Sequence, residues 1–175
     1  MEYRVLQRED ISKFVQIDRT ESVDQIYYMR GGTLVMEKEH WDVPDWSLSE
    51  KQQRIVGLKE SYDRGASIYS AFDGLMLVGL SVLDHNPIPS GVDRFNLAGL
   101  WVSHSYRGKG IGRRLCQFIK QGARELGARA LYVSATPSEN TVRFYKSVGF
   151  QLAELIDQDL YEKEPEDIHM ELILL

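Results

Sequence analysis

Residues 105–114 read SYRGKGIGRR. Three glycines alternate with other residues directly before a helix-like run, with an arginine ahead of them and two behind. Glycine weakens a helix by roughly 0.5–1 kcal/mol relative to alanine, and adjacent like charges repel. Both become useful where the chain turns from a strand into a helix and the turn receives an anion. The first turn of a helix carries unpaired N–H groups and partial positive charge. Glycines let a phosphate come close to those amides. A tight turn alone needs neither three alternate glycines nor clustered arginines.

The flanking sequence supplies the strand and the helix. FNLAGLWVS is an apolar strand, and residues 110–126 place Ile111, Leu115, Phe118, Ile119, Gly122 and Leu126 on one helical face. Small Gly122 allows close packing, and Gly127 ends the run. Upstream, residues 3–7 read as a strand, and Asp10 as the cap of a helix carrying Ile11, Phe14, Val15 and Ile17. Gly31-Gly32 predicts a hairpin near residues 24–39, followed by a loop, HWDVPDWS. Ser47 or Ser49 starts a helix to about Asp63, closed by Gly65. ASIYSAF and LMLVGLSVL are strands joined at Asp73-Gly74, and HNPIPSGVD is a loop. ALYVSA is a buried strand, and Pro137 with Ser138 opens a helix that Gly149 stops. FQLAEL and IHMELIL are strands on either side of an acidic stretch. The predicted order is β-α-hairpin-α-β-β-β-α-β-α-β-β, one α/β domain over residues 1–175 with a mixed sheet.

Composition removes several classes of function. The net charge of −5 argues against nucleic acid as a partner. No apolar run approaches the roughly 18 residues of a membrane span, and MEYRVLQRED has no apolar signal core, so a cytoplasmic protein is expected. The single cysteine, Cys116, cannot form an intramolecular disulfide or a multi-cysteine zinc site, and no metal is expected. Charge is segregated: Arg107 to Arg129 holds seven basic residues and one acid, whereas Glu154 to Glu171 holds eight acids and one lysine. Such runs form solvated faces, or, for the basic one beside the glycines, a seat for a polyanion.

Two phosphate loops fail against the glycine run. A P-loop requires Ser or Thr after Gly-Lys, and Lys109 is followed by Gly110. The dinucleotide fingerprint G-x-G-x-x-G would end at Arg113 or Leu115. A third pattern fits. Arg107-Gly108-Lys109-Gly110-Ile111-Gly112 resembles R/Q-x-x-G-x-G/A, the pyrophosphate loop of the GNAT acetyltransferase superfamily. SENTVRFYKSVGF, further on, resembles a second segment of that superfamily, N-x-x-A-[IV]-x-F-Y-x-x-x-G-F.

The resemblance implies a GNAT fold: a mixed, mostly antiparallel central sheet flanked by helices, here with an extra N-terminal hairpin. It implies acetyl-CoA as co-substrate, held by the amides of Gly108, Lys109, Gly110, Ile111, Gly112 and Arg113, with charge from Arg107, Lys109, Arg113 and Arg114. The backbone of Leu100, Trp101 and Val102 would pair with the pantetheine arm and polarise the thioester, and Tyr145 would serve the departing sulfur. Where the superfamily often has Asn this chain has Ser138, with Asn140 two residues later, and either can contact CoA. The implied activity is direct transfer of acetyl to a primary amine on a small molecule or peptide, by a monomer or homodimer. A non-catalytic CoA-binding sensor or scaffold is the alternative. Asp84, His85, Glu139 and His104 are candidate bases, each with a structural reading beside it. Tyr27, Tyr28, Trp41, Asp42, Asp45 and Trp46 are expected to form an aromatic and acidic wall on the acceptor side.

Overall fold

The structure is a computed structural model that describes residues 1–174. Nine strands and four α-helices follow one another, with two short 3₁₀ segments, among the described residues. Strand β1 (Glu2–Val5) leads to a 3₁₀ segment, Arg8–Gln16. A long hairpin follows, β2 (Glu21–Arg30) and β3 (Thr33–Val43), then α1 (Leu48–Asp63). Strands β4 (Ser67–Asp73), β5 (Met76–Pro87) and β6 (Arg94–Val102) precede α2 (Ile111–Glu125). The chain ends with β7 (Ala130–Ala135), α3 (Glu139–Ser147), β8 (Gln151–Leu152), α4 (Gln158–Lys163) and β9 (Ile168–Ile173).

Seven strands form the main sheet in the order β1-β4-β5-β6-β7-β9-β8, and β2-β3 stand apart as a two-stranded sheet. Every neighbouring pair is antiparallel except β6 and β7. Helices cover both faces. On one, α2 and α3 pack Ile119, Ala123, Val142 and Tyr145 against Leu97, Leu131 and Met170. On the other, α1 and the first 3₁₀ segment pack Ile55, Leu58, Phe14 and Ile11 against Ile68, Leu80 and Val82. Among the described residues no helix is long and apolar enough to cross a membrane.

The one parallel pair is short. Arg94, Phe95 and Asn96 face Ala130, Leu131 and Tyr132, and the register ends there. The cause lies on the other side of β6. Val82 faces Gly99 while Leu83 faces Leu97, so Ala98 is an extra residue with no partner. Such a bulge bends and twists its strand. From Ala98 onward β6 therefore leans away from β7, and the two diverge. Ala98 is exposed, and Gly99 to Val102 are partly so, although β6 is central in the sheet.

A segment of the hairpin spans the wide end of this gap. Near the end of β6, the Asp18 amide donates to Ser103 Oγ (3.1 Å), and the Asp18 carbonyl accepts from the His104 amide (2.8 Å). Near the end of β7, the Tyr27 amide donates to the Pro137 carbonyl (2.7 Å), and Ile26 bridges Ser138.

Several local expectations change. Asp10 caps nothing: it lies inside the 3₁₀ segment and pairs with Arg4 and Lys13, because the segment starts two residues earlier. HWDV is strand rather than loop, since cross-strand pairing extends the hairpin to Glu21 opposite Val43. Likewise β5 runs on through Pro87. Leu126 is 39% exposed because the helical face turns it outward, and Cys116 and Ala123 fill the seam instead. The strand expected over FQLAEL is only Gln151–Leu152, and Asp157 in the acidic stretch is fully buried, capping α4 through the Leu160 amide.

Two helical glycines give opposite predictions. An ideal Cβ at Gly122 would lie 2.1 Å from Tyr69 Oη, and the Tyr69 ring is stacked on Phe118 at 5.7 Å. Gly57 in α1 has nothing within 4 Å. Gly57→Ala should therefore stabilise by up to ~1 kcal/mol through helix propensity. Gly122→Ala should destabilise, because overpacking of ~1–3 kcal/mol exceeds that gain. Urea denaturation of both variants checks the pair of signs.

Candidate functional site

The diverging strands end where α2 begins. Gly108 and Gly110 take φ of +72° and +81°, a left-handed backbone that other residues adopt at a cost of roughly 1–2 kcal/mol. An ideal Cβ at either would meet nothing within 4 Å. The glycines are thus required by conformation and by what approaches the backbone, not by crowding within the chain. Gly112 is different: its Cβ would press on Phe144 at 3.1 Å, so it lets α3 close on α2.

The start of α2 is also electrically distinct. Helix α1 begins with a capping box of Ser47 and Glu50, α3 with Ser138, and α4 with Asp157. The α2 N-cap is Gly110, with no side-chain cap. Its first-turn N–H groups therefore stay available to an anion from outside the chain. Lys109 sits over the Tyr106 ring at 4.8 Å, and Tyr106 donates to Asp73. Arg114 lies over Phe118 at 4.8 Å.

The other expected cations are partly committed within the chain. Arg107 donates to the carbonyls of Val102 (3.1 Å) and Arg19 (3.0 Å) and pairs with Glu21 at 3.4 Å. Arg113 donates to the Ser147 carbonyl and Oγ at the end of α3. The structure thus ties the loop to β2 and to α3 through the arginines that flank it.

Leu100, Trp101 and Val102 occupy the diverging part of β6. Gly99, Leu100, Trp101 and Val102 pair with β5 alone, leaving the backbone edge toward β7 outside the ladder. Ser138 is 2% exposed, and its Oγ accepts from the Thr141 amide, so the capping role holds. Asn140 is exposed and donates from Nδ2 to Glu21 Oε1 (2.8 Å). Glu21 thereby joins Arg107 to Asn140 across the wide end of the gap. Sequence reasoning missed Glu21, since its partners lie 86 and 119 residues away.

Tyr145 is 6% exposed, edge-on to Phe144 and Phe150 at 5.2 and 5.3 Å. Burial pushes its hydroxyl far above the ordinary phenol range, with Cys116 and Asp167 adding to the rise. Asp167 is pushed up to about 6 by burial and by Glu164. Cys116 is 2% exposed, and burial pushes its thiol up to about 11, so it stays protonated and is no nucleophile at neutral pH.

Asp84 and His85 line a cavity of about 220 Å³ on the α1 side of the sheet, with Asn96, Ser61, Arg64 and Lys163. They fall in the stretch of β5 where residues 84–86 oppose Asn96 alone. Burial pushes the Asp84 carboxyl up from its ordinary value, partly offset by its hydrogen bond to Asn96. His85 Nε2 lies 2.8 Å from Ser67 Oγ. His104 Nδ1 bonds the Thr20 carbonyl (2.7 Å), and Glu139 pairs with Arg143 in the first turn of α3, so both have structural duties. The expected aromatic wall does not form. Trp46 packs into the core against Phe14 and Trp101, Asp45 pairs with Lys51 at 2.6 Å, and Trp41 donates to Glu39. Tyr28 also goes to Glu39, and Asp42 to Ser22 and His40. Tyr28 and Asp42 find partners across the hairpin, Trp41 finds one within β3, and Asp45 and Trp46 lie beyond the hairpin, where they join Lys51 and the core.

Comparisons with known proteins agree with this geometry. Residues 33–150 match the family model described as "Acetyltransferase (GNAT) family". N-acetyltransferase 8 of Rattus norvegicus is 34% identical over 101 residues, covering 55% of this chain and 46% of the rat protein. The match thus spans about half the length of that relative. The crystal structure of nourseothricin acetyltransferase superposes with a TM-score of 0.73 at 20% identity, covering 99% of this chain and 98% of that one. A Thermoplasma acidophilum PaiA N-acetyltransferase in complex with coenzyme A superposes with a TM-score of 0.63 at 16% identity, covering 99% of each chain. At these identities the two structures bear on the fold, and it is the fold expected.

A matched pair of substitutions separates backbone strain from ligand contact. Gly110→Ala and Gly65→Ala both put a methyl on a left-handed glycine with open space around it, φ being +81° and +101°. Each should lose roughly 1–2 kcal/mol of stability. Only Gly110→Ala should also lose acetyl-CoA affinity, by about ten-fold or more. Thermal denaturation and isothermal calorimetry on both variants provide the check.

Proposed function

The chain belongs to the acetyltransferase (GNAT) family, and on that premise we propose that it transfers acetyl directly from acetyl-CoA to a primary amine. The observation that carries the reading is the alignment of two features: a strand edge freed by the parting of β6 and β7, and an uncapped helix N-terminus directly beyond it. The amides of residues 108–113 suit the diphosphate of CoA. Lys109 and Arg114, which carry no carboxylate partner among the described residues, add positive charge nearby. Arg107 and Arg113 hold the loop in shape, and Asn140 is better placed than Ser138 to reach the cofactor because the Ser138 hydroxyl is used by its own helix.

Acetyl-CoA, when bound, supplies the acetyl group as a thioester. The free edge at Leu100, Trp101 and Val102 offers backbone N–H and C=O groups to the pantetheine amides. An N–H of that edge can also stabilise charge developing on the thioester oxygen. Tyr145 is suited to donate a hydrogen bond to the departing sulfur. Its hydroxyl stays protonated across the physiological range, so the donor is present at every working pH. The amine must reach the thioester unprotonated, and the α1 side of the sheet carries carboxylates that can take its proton.

Tyr145→Phe keeps the ring and its aromatic contacts. Turnover, followed by release of free thiol from acetyl-CoA with an amine panel, should fall roughly 10²–10³-fold, by analogy with other transition-state donors. Acetyl-CoA affinity and thermal stability should stay near wild type. Wild-type turnover in this variant, with chemistry limiting the rate, would exclude the catalytic role.

A further inference from the structure

The α1 side of the gap contains a second, less obvious arrangement of charge. Next to the cavity that holds Asp84 lies another of about 310 Å³, lined by Arg54, Arg64, Ser61, Glu60, Ala98 and Trp101 among others. The two share Ser61 and Arg64, so they adjoin at those residues and are treated together as one depression. Its floor includes Ala98 and Trp101, the bulge and the freed part of β6. It therefore opens on the same strand edge that the reading above assigns to the thioester, from the side opposite α2. The larger volume, about 310 Å³, sits at the low end of the roughly 300–1,000 Å³ typical of small-molecule sites, and the smaller, about 220 Å³, falls below it.

The arginines here form no ion pair among the described residues. Arg54 is exposed and lies flat over the Trp46 ring at 4.2 Å, and Arg19 lies over the same ring at 4.8 Å. Partial burial and the neighbouring Arg19 lower the Arg54 pKa, and Glu50 and Glu164 nearby offset only part of that. Arg64 donates only to Ser61 Oγ among the described side chains. Neither has a carboxylate within ion-pair distance among the described residues, although Glu60 stands on the same helix. Meanwhile Asp84 is a half-buried carboxylate with no cation in contact, only Asn96 beside it and Arg64, His85 and Lys163 nearby. Several other shielded carboxylates are paired: Asp10 with Lys13, Asp45 with Lys51, Glu21 with Arg107, Glu171 with Arg94. Asp167, in the acidic stretch, shares with Asp84 the lack of an ion-pair partner among the described residues. Asp157 is saturated by the amides of Ser90 and Leu160.

We propose that the acceptor is a primary amine that also carries a carboxylate, with its amino group directed to Asp84 and its carboxylate to Arg54 and Arg64. The proposal rests on the reading of acetyl transfer above and names the acceptor class. A polycation fits poorly, because the aromatic face that would receive it is already covered by two of the chain's own arginines. Glu60 lines the second cavity with Arg54, Asp159 and Lys163 line the first with Asp84, and Arg64 borders both. In the transfer step the amine nitrogen forms the new amide bond, the thioester C–S bond breaks, and the sulfur leaves as a thiolate beside the Tyr145 hydroxyl, taking a proton from solvent to become CoA thiol. The proton lost by nitrogen goes to Asp84 or to water held against it.

The test uses matched pairs of amines on the full chain: L-leucine against 3-methylbutylamine, and L-lysine against 1,5-diaminopentane. Binding to CoA-loaded protein is measured by calorimetry, and turnover with acetyl-CoA by thiol release. In each pair the carboxylated member should bind at least about ten-fold tighter, as expected for charge-assisted hydrogen bonds. Arg54→Ala and Arg64→Ala should each shrink that gap several-fold while acetyl-CoA affinity holds. Asp84→Asn should weaken both members of a pair alike and lower turnover. Equal binding, preference for the decarboxylated amine, binding of neither, or an unchanged gap in both arginine variants would overturn the proposal. If acetyl-CoA itself does not bind, the reading of the cleft falls and the acceptor class falls with it. If acetyl-CoA binds and the pairs show no preference, only the acceptor class is lost.

Discussion

One unpaired residue, Ala98, governs the layout of the molecule. A parallel pair in the middle of a seven-stranded sheet would ordinarily run the length of both strands. Here it stops after three residues, because the bulge swings β6 off the line of β7. Without that departure there is no free edge at Leu100, Trp101 and Val102, and α2 would start beside a closed ladder. The glycine turn, the uncapped helix and the depression on the α1 side all take their meaning from the gap.

The two faces of the sheet are built for different work. On the α2 side the backbone does most of it, through amides that no side chain caps and glycines that hold a left-handed turn. Side chains there chiefly shape the loop: Arg107 ties it to β6 and β2, and Arg113 ties it to α3. On the α1 side the charges belong to side chains, which can be exchanged without disturbing the backbone. A backbone site suits one ligand kept through many generations of change. A side-chain site suits a partner that differs from one relative to the next.

Much of this is legible in the sequence. The glycine run falls between strand and helix because the apolar periodicity changes from two to three or four residues at that point, and the order of elements along the chain follows from turn residues, whereas the order of strands within the sheet does not. The start of α1 at Ser47 or Ser49 and the close packing at Gly122 are likewise local signals, and the structure selects Ser47 through its capping box with Glu50. What escaped depends on contacts distant in sequence. Nothing in FNLAGLWVS marks Ala98 as a bulge, since a bulge is a mismatch between two strands. Glu21, Arg54 and Arg64 look like ordinary surface charges, and Trp46 like a ligand-facing aromatic, until the hairpin and α1 are folded against the sheet. Asp157 was hidden in an acidic run that reads as solvated, yet it is fully buried.

The hairpin segment that reaches from Ser103 to Pro137 converts the gap from a fork into a ring. The sheet is held together across β6 and β7 by only three paired residues at one end, and this crossing is its second fastening at the other. The two halves therefore cannot swing apart like the arms of a tuning fork. Loads applied to one half pass to the other through the hairpin as well as through the ladder. A chain that inserts residues between Asp18 and Tyr27 would keep every strand of the main sheet and still lose the stiffness of the opening.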